Sequence, residues 1–345
     1  MAFSVSEGHA PAGVFYEINR LAPALDLSHK LFKPMRILFI GTSPFAVPSL
    51  HKLVESPEHE VLAVVTQPDR PQGRGGKLSV SPVKAAALAL NLPLFQPEKV
   101  RSKDFVQTVR EMAPEIIVVA AFGQIIPQRM LDVPPRGCIN VHGSLLPRWR
   151  GAAPMQYALM AGDAETGVTT MMMDAGLDTG DILQQASLDL SAVENLGDLE
   201  AKLAEVGAHL LMQTLQAIGA GNCPRVPQDA ALVTLASSLP PETGELDWSR
   251  PAAELHNLVR GVTPKPGAYT FVQGKRLKVW RTEVIEVIQE EAVPGTIESI
   301  GGGGITISTS KGALCLREVQ PESKGRMAAD AWARGARLVL GQKLQ

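Results

Sequence analysis

Five short runs in this chain are apolar at almost every position: MRILFIG (35–41), VLAVVTQ (61–67), EIIVVAAFG (115–123), CINVHG (138–143) and VTTMMMD (168–174). A strand with one wet face alternates polar and apolar residues, so runs of this kind point to strands covered on both faces, as in a parallel sheet with crossover helices. Helix starts fall where such a sheet needs them. Ser43-Pro44 follows the first run and Ser81-Pro82 opens VKAAALAL, each reading as a serine N-cap with proline at the first helical position. Leu196, Leu199, Leu203, Val206, Leu210, Leu211, Leu215 and Ile218 recur at three- and four-residue steps. That spacing predicts an amphipathic helix over 195–219, closing the domain and ended by Gly219 and Gly221. The fold class is α/β, with a doubly wound, Rossmann-like sheet over 35–221.

Residues 222–245 carry Pro224, Pro227, Pro240 and Pro241 and little periodicity, the composition of a linker, placed here at 222–241. A helix is expected at 252–261. After it come short alternating runs, GAYTFV, RLKVWRTEVI, GTIESI, GITIST and ALCLREV, separated by glycine turns. They predict a small antiparallel barrel of the OB-like kind over 242–345. The four glycines at 301–304 read as a hairpin tip, because no helix follows to make a phosphate cradle. Residues 1–34, broken by Glu7, Pro11, Glu17, Pro23 and Asp26, read as a disordered extension without secretory character. The competing reading is a docked helix carrying Val14, Phe15, Ile18 and Leu21.

A chain of 345 residues that is 45% hydrophobic can bury two cores, and its net charge of −2 demands no nucleic-acid or membrane partner. Residues 240–345 hold 14 Lys+Arg against 12 Asp+Glu, a mild basic bias over 35–239, which hold 16 against 20. Cys138, Cys223 and Cys315 are odd in number and far apart, which argues against disulfides and a zinc site and for a reducing cytoplasm. No run approaches the roughly 18 apolar residues of a membrane span. A cytoplasmic monomer without metal is expected.

The chemistry concentrates in HGSLLPRWRGAAP (142–154) and DAGLDTGD (174–181). In open α/β sheets, ligands sit beyond the carboxyl ends of the strands, where Asn140, His142 and Asp178 are expected to converge. The period-two spacing of Asn140 and His142 puts both on one face of a strand. A lone histidine is most often a satisfied core residue. Here glycines bracket both segments, Gly143 and Gly151 around one, Gly176 and Gly180 around the other, as backbone paths close to a ligand require.

These segments, with TQPDRPQGRG (66–75), SPVK (81–84), AFGQIIP (121–127) and GDAETGVT (162–169), resemble in order the formyltransferases that use 10-formyltetrahydrofolate. The resemblance runs from about Met35 to the C-terminus. It implies Asn140, His142 and Asp178 as the catalytic residues, and Ser144, Leu145, Leu146 and Pro147 as folate contacts. It further implies a pterin-facing segment of Phe122, Gly123, Gln124, Ile125 and Ile126, together with the loop 174–178. The implied acceptor is the methionine amine of initiator methionyl-tRNA, with Arg70, Arg74 and Lys77 of the loop 70–77 reaching the tRNA through phosphate contacts. Gly76 stands where related sequences often have a second lysine.

Formyl transfer to an amine develops charge on the carbonyl oxygen and must shed a proton from nitrogen. Asn140 can donate to that oxygen; the loss of such a donor costs about 10²–10³ in rate elsewhere. His142 can stabilise the same oxygen or relay a proton, help typically worth about 10²–10⁴. Asp178 can orient His142 or accept the amine proton through water. Two other readings carry different expectations: a formyltransferase for a purine-precursor amine or an amino sugar, and a tRNA-binding module whose catalysis has decayed. The hundred or so residues beyond the linker weigh against the purine enzyme, and the intact Asn140, His142 and Asp178 weigh against decay.

Overall fold

The computed structural model describes residues 33–72, 77–286 and 293–345. The expectation for the N-terminal extension falls, but for its last two residues, outside them, as does Arg74. The first half of the described chain runs through β1 (Met35–Gly41), β2 (His59–Val65), a small hairpin of β3 (Arg70–Gln72) and β4 (Lys77–Ser79), β5 (Leu94–Phe95), β6 (Ile116–Ala120), β7 (Cys138–His142), β8 (Arg150–Gly151), β9 (Glu165–Met172) and β10 (Ile182–Asp189). Seven of these form one sheet in the order β10-β9-β7-β6-β1-β2-β5. From β7 to β5 all neighbours are parallel.

The fifth apolar run departs from the parallel reading. β9 is antiparallel to β7, and β10, which the sequence did not announce, is antiparallel to β9. Two-sided burial makes a strand apolar but carries no direction, so the VTTMMMD run looked like its parallel neighbours. β10 alternates between covered and exposed positions, as a strand with one wet face does.

The helices are α1 (Val47–Glu55), α2 (Pro82–Ala89), α3 (Lys103–Met112), α4 (Gln128–Leu131), α5 (Pro154–Ala161) and α6 (Leu196–Gly219). Ile37 and Phe39 of β1 pack with α1, α2, α5 and α6, while Leu38 and Ile40 pack with α3 and α4. Alternate residues of one strand thus serve two cores, which is why its buried stretch, Ile37–Ile40, holds no polar residue, while Arg36 stays at the half-exposed start. Ser81 accepts from Lys84 N at 3.0 Å as an N-cap should. Ser43 does not cap; its segment makes a 3₁₀ turn, Pro44–Ala46, before α1. The long α6 starts in a capping box of Asn195 and Asp198.

The proline-rich segment is tied to the sheet. Val226 and Ile182 exchange backbone hydrogen bonds of 2.8 and 2.9 Å, and β11 (Leu235–Ala236) pairs in parallel with β8. After α7 (Ala252–Val262) come β12 (Ala268–Val272), β13 (Lys275–Ile285), β14 (Ile297–Gly301), β15 (Gly304–Ser308), β16 (Ala313–Pro321), β17 (Met327–Ala328) and α8 (Ala329–Ala336). Their sheet is antiparallel throughout, in the order β12-β13-β16-β15-β14 with β17 on β16. Phe271 and Gln345 exchange both backbone hydrogen bonds, and Thr296 bridges Lys343, so residues 343–345 close the gap between β12 and β14. The four glycines form the β14–β15 hairpin tip. Pro34–Gln345 pack as one unit; where α5 meets α7, a Cβ on Gly261 would lie 2.5 Å from Met160 Cγ.

Candidate active site

Asn140 and His142 project from the same face of β7, and both reach Asp178. Asn140 Nδ2 donates to Asp178 Oδ1 at 3.3 Å, and His142 Nδ1 lies 3.6 Å from Oδ2. The convergence is as expected, but its route is different. Because β9 runs against β7, its last residue, Met172, stands opposite Ile139, low on β7. The loop 173–181 then turns back along β7 and carries Asp178 to the level of Asn140 and His142. Asp178 adopts a left-handed backbone, φ +53°.

The imidazole is held at both nitrogens. Nε2 lies 2.9 Å from the carbonyl of Trp149, and a carbonyl only accepts, so Nε2 carries a proton. Nδ1 is left facing the carboxylate and is the ring position where a proton can be taken up or given. His142 is 5% exposed, so the ring has no freedom to swing out. The Trp149 carbonyl is itself fixed: its N–H donates to Thr234 Oγ1 at 2.8 Å and its indole N–H to Asp163 at 2.7 Å. Asp163 also pairs with Arg148, whose guanidinium lies 4.2 Å from the centroid of the Trp149 ring.

Around Asp178 stand three groups whose contacts the sequence does not announce. The backbone N–H of Gly151 donates to Oδ2 at 2.8 Å. Gln228 Nε2 donates to the carbonyls of Asp178 and Gly180 at 2.8 and 2.7 Å, and Gln228 Oε1 accepts from Arg150. Nothing in a glutamine among prolines signals this. Gly151 and Arg150 belong to HGSLLPRWRGAAP, but a backbone donor leaves no residue-type signature.

The turn 144–147 is held from within. Ser144 is fully buried and donates to the Arg148 carbonyl at 2.7 Å; Thr169 Oγ1 donates to Ser144 O at 2.7 Å and accepts from Leu146 N at 3.0 Å. Leu145 packs toward Gly167, Leu146 is buried, and Pro147 is half-buried. The segment 122–126 lies beyond the carboxyl end of β6, beside the end of β1, where strand order reverses. That switch point is where open α/β sheets place ligands. Phe122 is buried with its carbonyl accepting from Thr42 and Gln67, Gly123 has φ +82°, Gln124 accepts from Val100 N, and Ile126 is buried. Ile125 is 84% exposed and Leu177, next to Asp178, is 64% exposed. Exposed aliphatic side chains of this size offer faces for a flat ring.

The predicted tRNA loop is in part the β3–β4 hairpin. Arg70 is exposed on β3 and Lys77 opens β4. Its base is fixed by the Asp69–Lys84 pair at 2.5 Å and by Gln96, which donates to Asp69 at 2.9 Å; the Lys84 hydrogen bond holds the Asp69 carboxyl below its ordinary range. Cys138, two residues before Asn140, is no rival nucleophile: burial pushes its thiol up to about 12.

A doubly wound sheet that gathers an amide, an imidazole and a carboxylate beside its switch point holds the groups that acyl transfer uses, a donor for a developing oxyanion and a carrier for a proton. The formyl transferase family matches residues 35–215 and its C-terminal domain residues 238–337, and the chain belongs to this family. It is 49% identical to the methionyl-tRNA formyltransferase of Geotalea daltonii, over 90% of this chain and 98% of that protein. It is 47% identical to the methionyl-tRNA formyltransferase of Symbiobacterium thermophilum, over 90% and 95%. Among solved structures, the sugar 3N-formyl transferase WlaRD, crystallised in the presence of dTDP and 5-N-formyl-THF, shares the fold with a TM-score of 0.61 at 18% identity, over 85% of this chain and all of that one. Among the described residues no helix is long and apolar enough to cross a membrane.

Proposed function

We propose that this protein transfers a formyl group from 10-formyltetrahydrofolate to the free amine of methionine on initiator methionyl-tRNA, acting as a cytoplasmic monomer in translation initiation. The observation that carries the reading is the meeting of Asn140, His142 and Asp178 in a chain that matches methionyl-tRNA formyltransferases over nearly their full length. The bound folate supplies an activated formyl group. Residues 122–126 and Leu177 would hold its ring, with the 144–147 turn shaping the floor; the exposed faces of Ile125 and Leu177 fit such a ligand.

The residues of this chain then divide the work. In the reaction the amine nitrogen bonds to the formyl carbon, the bond from that carbon to the folate nitrogen breaks, and the amine proton ends on the departing nitrogen. Asn140 Nδ2 has a second N–H beyond the one given to Asp178, and it donates to the oxygen where charge develops. His142 Nδ1 handles the proton, with Nε2 pinned to the Trp149 carbonyl. Asp178 aligns both neighbours and places its carboxylate where the amine arrives. Arg70, Arg74 and Lys77 contact tRNA phosphates, and the barrel touches the tRNA body.

The test is to incubate the protein with 10-formyltetrahydrofolate and, in parallel, initiator methionyl-tRNA, elongator methionyl-tRNA, glycinamide ribonucleotide and a dTDP-amino sugar. Formylation of the initiator species is expected; preference for either small amine overturns the reading.

A further inference from the structure

The side chain of Gln228 has four hydrogen-bonding positions, and all four are filled. Its two N–H bonds go to the carbonyls of Asp178 and Gly180, at 2.8 and 2.7 Å. Its oxygen accepts from Nε and Nη2 of Arg150, at 3.0 and 2.8 Å. The amide has one orientation only, because carbonyls cannot donate and a guanidinium cannot accept. Arg150 immediately precedes Gly151, whose N–H holds Oδ2 of Asp178. A closed circuit results: Arg150, Gly151, the Asp178 carboxylate, the Asp178 backbone, Gln228, and Arg150 again.

We propose that Gln228, backed by Arg150, is a positioning residue for Asp178; this rests on the reading of Asp178 as part of the catalytic group. Asp178 needs such a device. Its backbone is left-handed, φ +53°, a minor region that aspartate reaches more readily than most residues, so local contacts decide whether the loop keeps it. Its loop is a return from β9, so strand register fixes the loop's two ends and leaves its apex to local contacts. Gln228 grips the backbone at the apex while Gly151 grips the carboxylate, and both grips refer to the same short strand, β8. The guanidinium on Oε1 polarises the amide and strengthens both donors. The segment supplying Gln228 is pinned on either side, by Val226 to Ile182 and by β11 to β8. The clamp therefore has a rigid mount.

A double-mutant cycle separates positioning from general support. Single-turnover and steady-state formylation of initiator methionyl-tRNA are measured for wild type, Gln228→Ala, Gln228→Glu, Asp178→Ala and the Gln228→Ala/Asp178→Ala double variant. Gln228→Ala should lower kcat at least about tenfold with KM for both substrates within about threefold. Gln228→Glu keeps the volume but cannot donate to carbonyls, and should lose as much. With Asp178 already removed, Gln228→Ala should cost less than about twofold. The proposal is overturned if either Gln228 variant keeps kcat within about twofold of wild type, or if the loss is the same with and without Asp178. Wild-type protein that fails to formylate methionyl-tRNA would overturn the functional reading itself, and this one with it.

Discussion

The backbone N–H of Gly151 donates to the Asp178 carboxylate at 2.8 Å, across 27 residues of sequence. This bond sets which carboxylate oxygen faces the imidazole: Oδ2 takes both Gly151 and the approach of His142, leaving Oδ1 to Asn140. One side chain thereby orders three partners, and its charge matters as much as its shape.

Asp178→Asn should reduce formyl transfer at least about a hundredfold with little change in melting temperature. The amide can still meet Gly151 through its oxygen, but it then turns its N–H toward the Asn140 amide, which loses its acceptor, and carries no charge opposite the imidazole. A single-turnover rate within about threefold of wild type would remove Asp178 from the mechanism.

Asn140→Ala and His142→Ala should each cost about 10²-fold or more in the transfer step while folate affinity stays within about threefold, because both contacts strengthen only as charge develops. Rapid-quench rates and equilibrium binding, measured on the same preparations, check this. A large loss of folate affinity with an unchanged transfer step would recast either residue as a binding contact.

Gly180→Ala should destabilise the protein by about 2 kcal/mol or more. A Cβ there would lie 1.8 Å from the Met172 carbonyl, which is backbone and cannot move aside cheaply. Urea midpoints measure the stability. The same shift would carry Gly180 O away from Gln228 and lower kcat.

Arg70→Ala, Arg74→Ala and Lys77→Ala should lower kcat/KM for methionyl-tRNA and leave folate affinity unchanged. Removing a cation that neutralises one phosphate flattens the log–log salt dependence by roughly one unit. Unchanged slopes would move tRNA recognition to the barrel.

Stability should fall as pH drops through about 6.5. Burial lowers the pKa of both His59 and His256, so the unfolded chain binds their protons more tightly than the folded one. Their contribution is intact above the unfolded value and is lost as pH falls toward the folded values. His256 Nε2 lies 3.0 Å from the Ala192 carbonyl and Nδ1 2.8 Å from Thr282 Oγ1, so a second proton forces the hydroxyl to reverse. Melting temperatures at pH 7.5 and 5.5 should differ less for His256→Gln than for wild type.

Much of this could be read from the chain because two-sided burial and helical spacing leave plain patterns. The runs at β1, β6 and β7 and the stripe of α6 are of that kind. Strand direction leaves none, so β9 looked parallel, and β10 was missed because its exposed face dilutes its apolar content. Asn140 and His142 were legible as a same-face pair. Ser43 looked like a cap and makes no capping bond, since proline and serine favour a turn whether it becomes α or 3₁₀. Gln228 was illegible for a different reason: its importance lies wholly in the carbonyls it faces.

The mooring of Asp178 by a side chain fifty positions downstream bears on how such proteins can be recombined. A chimera that joined the sheet of this chain to the barrel of a relative within the prolines at 224–227 would import a foreign residue opposite its own aspartate loop. The natural crossover is past Ala236, after β11 has paired with β8, so that Arg150, Asp178 and Gln228 all come from one parent. Parents whose Arg150 and Gln228 equivalents differ would then recombine with activity on one side of that junction and lose it on the other.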